Sequence, residues 1–208
     1  MTEPLRVYGM PDDKRGREKQ ARNAERRQRE RAIASELERM DEPEPEIDEG
    51  ELALFETALE ELEFPVTATE VVSEMGHQEL EGLEQAYSVA ELLPATEAIS
   101  FNRPAEVRMR IQRPSIATAL KRIVEETDTI QGASLTGSQL ETYEKTFLEL
   151  KAIDAVDDDE GIPVLRDWIL ESLRENGELP GSRGVRRRAA DYCRENGYEV
   201  RNDEWLGI

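Results

Sequence analysis

Nine basic residues crowd positions 14–31: Lys14, Arg15, Arg17, Lys19, Arg22, Arg26, Arg27, Arg29 and Arg31, against three acidic ones. A guanidinium is a planar fork of donors that fits phosphate in a bidentate manner, at short range. Two smaller groups repeat the theme. One is Arg183, Arg186, Arg187 and Arg188; the other is Arg103, Arg108, Arg110, Arg113, Lys121 and Arg122. The chemistry these residues could do is recognition of a polyanion rather than catalysis. Each cluster also has a self-contained explanation as a solvated or salt-bridged helix face. Glu18–Arg22 and Glu25–Arg29 are i, i+4 pairs that support a helix without any partner. Partner binding is the stronger reading for 14–31, a paired surface for 103–122, and the two stand close for 183–188.

Other chemistries find little to build on. One histidine, His77, leaves no His-rich metal site and little room for a Ser/His/Asp set. It follows Met75-Gly76 at an expected helix end, where it would face the last carbonyls. One cysteine, Cys193, allows no disulfide within the chain and no thiolate cluster, and reads as a small buried apolar residue. Gly132 and Gly137 bracket no lysine, so no phosphate loop is formed. Asp157, Asp158, Asp159 and Glu160 lack the alternating ligands of a calcium loop and read as a solvated turn. The expectation is a protein with no enzymatic activity, no cofactor and no metal.

The rest of the chain is acidic. Between Met40 and Asn102 there are eighteen Asp and Glu and no Lys or Arg, and the formal net charge is -20. Charged residues make up 36%, against about 25% in an ordinary globular protein. Arginine outnumbers lysine twenty-two to five. Acidity with little lysine is the pattern of proteins bathed in concentrated salt. Carboxylates hold water and cations there, while long lysine stems add apolar surface. At 1 M salt the Debye length is about 3 Å, so self-repulsion is screened. Counterion release weakens steeply as salt rises, so a protein in such a cell needs concentrated, arginine-based contacts to hold nucleic acid. No stretch approaches the roughly 18 apolar residues of a membrane span, and no apolar leader is visible. A soluble, cytoplasmic protein is expected.

The elements that would position these residues are mostly helices. Residues 12–40 read as one long helix without an apolar stripe over its basic part; Ile33, Leu37 and Met40 follow at i, i+4, i+7. An acidic, Pro-rich linker follows at 41–50. Residues 51–63 form an amphipathic helix with Leu52, Phe55, Leu59 and Leu62 on one face. Phe64-Pro65-Val66 is an extended joint. Capping boxes are expected at Thr67/Glu70, Ser88/Glu91 and Ser138/Glu141. A small hairpin spans 78–88, and further helices begin near Pro104 and Pro114. A loop covers 127–137. Helices follow at 138–152, 163–176 and 183–196, the last two ending in Asn176-Gly177 and Asn196-Gly197, which suit a left-handed cap. Residues 198–201 read as a short strand, and Trp205-Leu206 as a pin for the tail.

The segment Asp13-Lys-Arg-Gly-Arg-Glu-Lys-Gln-Ala-Arg-Asn-Ala-Glu-Arg-Arg-Gln-Arg-Glu-Arg31 resembles the N-terminal stretch of a group of small, acidic haloarchaeal proteins of unknown function. Leu59-Glu-Glu-Leu-Glu-Phe-Pro-Val66, with its Thr67 cap, is similar to the opening of their domain. The resemblance covers roughly residues 12–125, leaves 138–208 outside, and implies a halophilic source but no catalytic residue.

The expected molecule is mainly α with a small β-hairpin: a basic helical arm (1–40), a linker (41–50), a small α-rich domain (51–127) and a C-terminal helical domain (138–208). The favoured function is a non-enzymatic accessory protein whose arginine-rich arm engages nucleic acid or a ribonucleoprotein surface. The alternative is a protein–protein adaptor or self-association module, its arm docked on an acidic host protein.

Overall fold

The computed structural model describes residues 45–198, apart from Glu84 and 154–158. These residues fall within one compact unit. The helix expected at 12–40, with the whole basic cluster at 14–31, lies outside the described residues. So do the strand residues beyond Tyr198, and Trp205-Leu206.

The fold is mainly helical, with two antiparallel two-stranded ladders. Helix α1 (Glu49–Leu59) begins two residues earlier than expected, because Asp48 caps it: its Oδ1 accepts from the amides of Gly50 (2.8 Å) and Glu51 (3.1 Å). Strand β1 (Val66–Thr67) pairs with β4 (Ser100–Phe101), a ladder formed where the sequence suggests only an extended joint. Helix α2 (Ala68–Met75) opens with the expected capping box. Glu70 N–H donates to Thr67 Oγ1 at 3.2 Å, and Thr67 N–H donates to Glu70 Oε2 at 2.6 Å. The expected hairpin is β2 (Glu79–Glu81) on β3 (Ala86–Ser88), with Leu80 opposite Tyr87. In α3 (Val89–Leu92), Glu91 Oε2 accepts from both Ser88 N–H (2.7 Å) and Ser88 Oγ–H (2.8 Å).

Five longer segments follow the two ladders: α4 (Pro104–Ile111), α5 (Pro114–Thr129), α6 (Gly137–Ile153), α7 (Gly161–Asn176) and α8 (Ser182–Glu195). The box expected at Ser138/Glu141 is displaced. Thr136 Oγ1 accepts from Gln139 N–H (3.3 Å), while Gln139 Oε1 accepts from Thr136 N–H (3.2 Å). Thr136 precedes the first turn, so it wins over Ser138, which is already inside the helix. Gly177 ends α7 in the left-handed region, at φ 71°, as its position after Asn176 suggests.

Two apolar clusters hold these elements. The first gathers Ile47, Leu52, Phe55, Leu59, Val71, Leu80, Val89, Phe101, Val107, Ile111 and Ala117. The second gathers Ile116, Leu120, Ile123, Val124, Tyr143, Phe147, Ile162, Leu165, Ile169, Val185 and Cys193. Helix α5 therefore serves both. Ala117 faces the first cluster, and the apolar residues of α5 expected inside the N-terminal domain lie mostly in the second.

The segment read as a linker is fastened to the body from Glu46 onward. Ile47, its lone apolar residue, is buried and bridges to Gly82 beside the hairpin. Glu46 N–H donates to Gln112 O (2.9 Å), and Glu46 O accepts from Leu83 N–H (2.8 Å). The Glu46 carboxylate accepts from Ser115 Oγ–H (2.7 Å) and pairs with Lys151 Nζ (2.9 Å). Lys151 also holds Asp159, in the acidic turn ahead of α7. Burial alone would pull the Lys151 pKa down. Its hydrogen bonds to Asp159 and Glu46 outweigh that and hold it above its ordinary value.

Candidate nucleic-acid interface

The arginines of the described residues sort by whether a carboxylate reaches them. In the 103–122 group most are paired. Arg103 Nε lies 3.3 Å from Glu106, and Arg108 Nη1 lies 3.0 Å from Glu56. Arg110 Nη1 sits 3.0 Å from Glu144 Oε2, a charge contact without hydrogen-bond alignment. Arg113 is buried, at 7% exposure. Lys121 Nζ binds Glu125 and the carbonyl of Leu93. Arg122 is exposed, but its charge helps hold the carboxyls of Glu126 and Asp167 below their usual values. The largest cause there is a hydrogen bond, from Arg174 to Glu126 and from Arg166 to Asp167. This group forms a charge-compensated surface, as its sequence context suggests.

Helix α8 differs. Its amphipathic pattern buries Val185, Ala189, Tyr192 and Cys193 against the second cluster. With 3.6 residues per turn, the opposite face carries Arg183, Arg187 and Arg194 in a line. Arg183 and Arg187 are exposed and make no ion pair among the described residues. Arg194 binds Asp191 at 3.1 Å. Arg186 and Arg188 flank the line and are partly covered. Arg186 Nε donates to Ser182 O (3.3 Å), and Arg188 makes a long contact of 3.6 Å with Glu195. The four arginines named from the sequence at 183–188 therefore share one helix, with two of them bare.

The start of this helix is firmly held. The Tyr143 hydroxyl donates to Pro180 O at 2.6 Å, and burial pushes its pKa well up, so it stays a neutral donor. Ser182 Oγ meets Thr142 Oγ1 at 3.3 Å. Beside the arginines lies Trp168 of α7, packed in part on the second cluster and in part open. The apolar spacing puts it on the core face of its helix. Its position relative to α8 is not legible in the sequence, because α7 and α8 meet only in the folded chain.

His77 is exposed at the end of α2, and Cys193 is buried, as expected. Among the described residues no group of His, Cys, Asp and Glu could hold a metal ion, and no helix is long and apolar enough to cross a membrane.

No curated protein and no solved structure matches the chain. A family match covers α1 to the middle of α5, and so most of the first apolar cluster, but neither α7 nor α8: residues 50–122 match a family of unknown function, DUF5789.

Proposed function

We propose that this is a non-enzymatic accessory protein of a halophilic archaeon that engages nucleic acid, or a ribonucleoprotein surface, through its arginine-rich surfaces. It works in the cytoplasm and carries no reaction of its own. The observation that supports the reading is the bare pair Arg183 and Arg187. In a chain of net charge -20, carboxylates are within reach of almost any cation, and most described arginines have taken one. A guanidinium left open on a rigid helix is available to phosphate. The cluster at 14–31, with nine basic residues, supplies the same chemistry in greater density.

The test is a binding titration at 0.2 M and 2 M KCl, with single-stranded and duplex oligonucleotides. Changing Arg26, Arg27, Arg29 and Arg31 to Lys keeps charge but removes the fork. Affinity at 2 M KCl should fall by roughly fivefold for each phosphate-binding fork removed. R183K/R187K should lower it by a smaller factor. A wild-type chain that binds nothing at either salt overturns the reading.

The second reading is an adaptor for protein partners. It draws on Leu83, 81% exposed beside the hairpin, and Leu54, 67% exposed on α1. Partners captured in molar KCl that survive nuclease treatment would favour it.

A further inference from the structure

Helices α7 and α8 run antiparallel, and two close approaches fix their register. Gly161 packs on the Tyr192 ring, where a Cβ would fall 2.9 Å from Cε1. Seven residues along α7, Cη2 of Trp168 lies 3.9 Å from where a Cβ on Gly184 would stand. The indole thus borders the one position of this α8 turn that has no side chain, and nothing from Gly184 rises over it. Arg187 and Arg188 follow one turn beyond Gly184, about 5.4 Å along the axis, on the side where Val164 precedes Trp168 by one turn of α7. Val164 is itself 37% exposed. The indole N–H donates to no protein group among the described residues.

Glu171 and Glu175 share the Trp168 side of α7 and lie toward its C-terminal end, away from Arg187 and nearer the end of α8 that carries Arg183. Asp167 is held by Arg166 at 2.8 Å, and Asp191, one turn past Arg187, is held by Arg194. The surface therefore pairs a part-open aromatic ring with bare guanidinium groups. That combination fits unstacked bases with a phosphate backbone. A base can stack on an indole only when it is free of its own helix, and duplex bases are not.

We infer that the α7–α8 face binds single-stranded nucleic acid, stacking one base on Trp168 and holding the adjoining backbone with Arg183 and Arg187. This rests on the nucleic-acid reading above and specifies which form of the polymer is taken and where.

The experiment uses the full chain with Trp205→Phe, which leaves Trp168 as its one indole. Oligo(U), oligo(dT) and a duplex of equal length are titrated in 2 M KCl while tryptophan emission and anisotropy are followed. Emission should be quenched by the single strands and not by the duplex. Comparing oligo(U) with oligo(dT) tells RNA from DNA. W168A should weaken single-strand binding about 5- to 100-fold, and W168F should retain most of it. Circular dichroism identifies a W168A chain that has lost its fold, and the quenching then stands as the readout. Binding without quenching, or equal preference for duplex, overturns this inference while leaving the nucleic-acid reading in place. Absence of binding to all three at both 0.2 M and 2 M KCl overturns both.

Discussion

A carboxylate that accepts hydrogen bonds from a helix start is worth more charged than protonated, and this chain uses the device repeatedly. Glu70 accepts from the backbone N–H and hydroxyl of Thr67, and Glu91 from those of Ser88; both pKa values lie below the ordinary 4.5. Glu106 is lowered in the same way, first by the Asn102 amide. Because the folded values are depressed, the stability these groups add is present above pH 4.5 and is lost as the pH falls through the folded values. Thermal melts from about pH 5 to 3 should therefore show a steep decline. In E70Q/E91Q the decline should be shallower, from a lower starting point. An unchanged slope would mean that other carboxylates set the acid limit. At the same scale, Lys151 shows why single residues mislead in sequence. It belongs to none of the basic clusters, yet it joins Glu46 to Asp159 across more than a hundred positions.

Helices α1, α2, α4, α5, α7 and α8 were legible because their apolar residues repeat at helical spacing and their ends carry local chemistry. Pro104, Pro114, Gly177 and the Thr67/Glu70 pair each act within one turn. What was missed acts over distance. The β1–β4 ladder joins Val66 to Phe101 through two-residue strands, too short for an alternating pattern. The Ile47–Gly82 bridge was hidden by a run of acids and prolines that reads as solvated chain. The cap of α6 was misplaced by two residues because Thr136 and Ser138 both precede a residue able to cap in return. Thr136 is the one that holds it. T136A should cost about 1 kcal/mol of unfolding free energy, and S138A less than about 0.5, by urea denaturation. Of the candidate interface, the arginines could be named from the sequence, but not which of them stay bare. That depends on carboxylates brought in from other helices, as Glu56 is to Arg108 and Glu144 to Arg110.

At the scale of the molecule, charge and core pull in opposite directions. Repulsion among forty-seven carboxylates opposes compaction, and dissolved salt relieves it. The melting temperature should be higher in 2 M KCl than in 0.1 M. A flat or falling profile would remove the halophilic reading. Helix α5 carries a further consequence. Its Ile116, Leu120, Ile123 and Val124 are covered by α6 and α7, while Ala117 closes the first cluster. The two halves thus share a wall that neither can give up, and unfolding in denaturant should occur in a single step. The stretch similar to the unknown-function family stops at residue 122, in the middle of that wall. A polypeptide cut back to residues 45–130 would turn a greasy strip of α5 toward water. It should self-associate through that strip, seen as a dimer or larger species in light scattering, and L120E/I123E should return it to single copies. Any protein built on the shorter unit alone has to find its own cover for that face, and a second copy of α5 is the nearest one to hand.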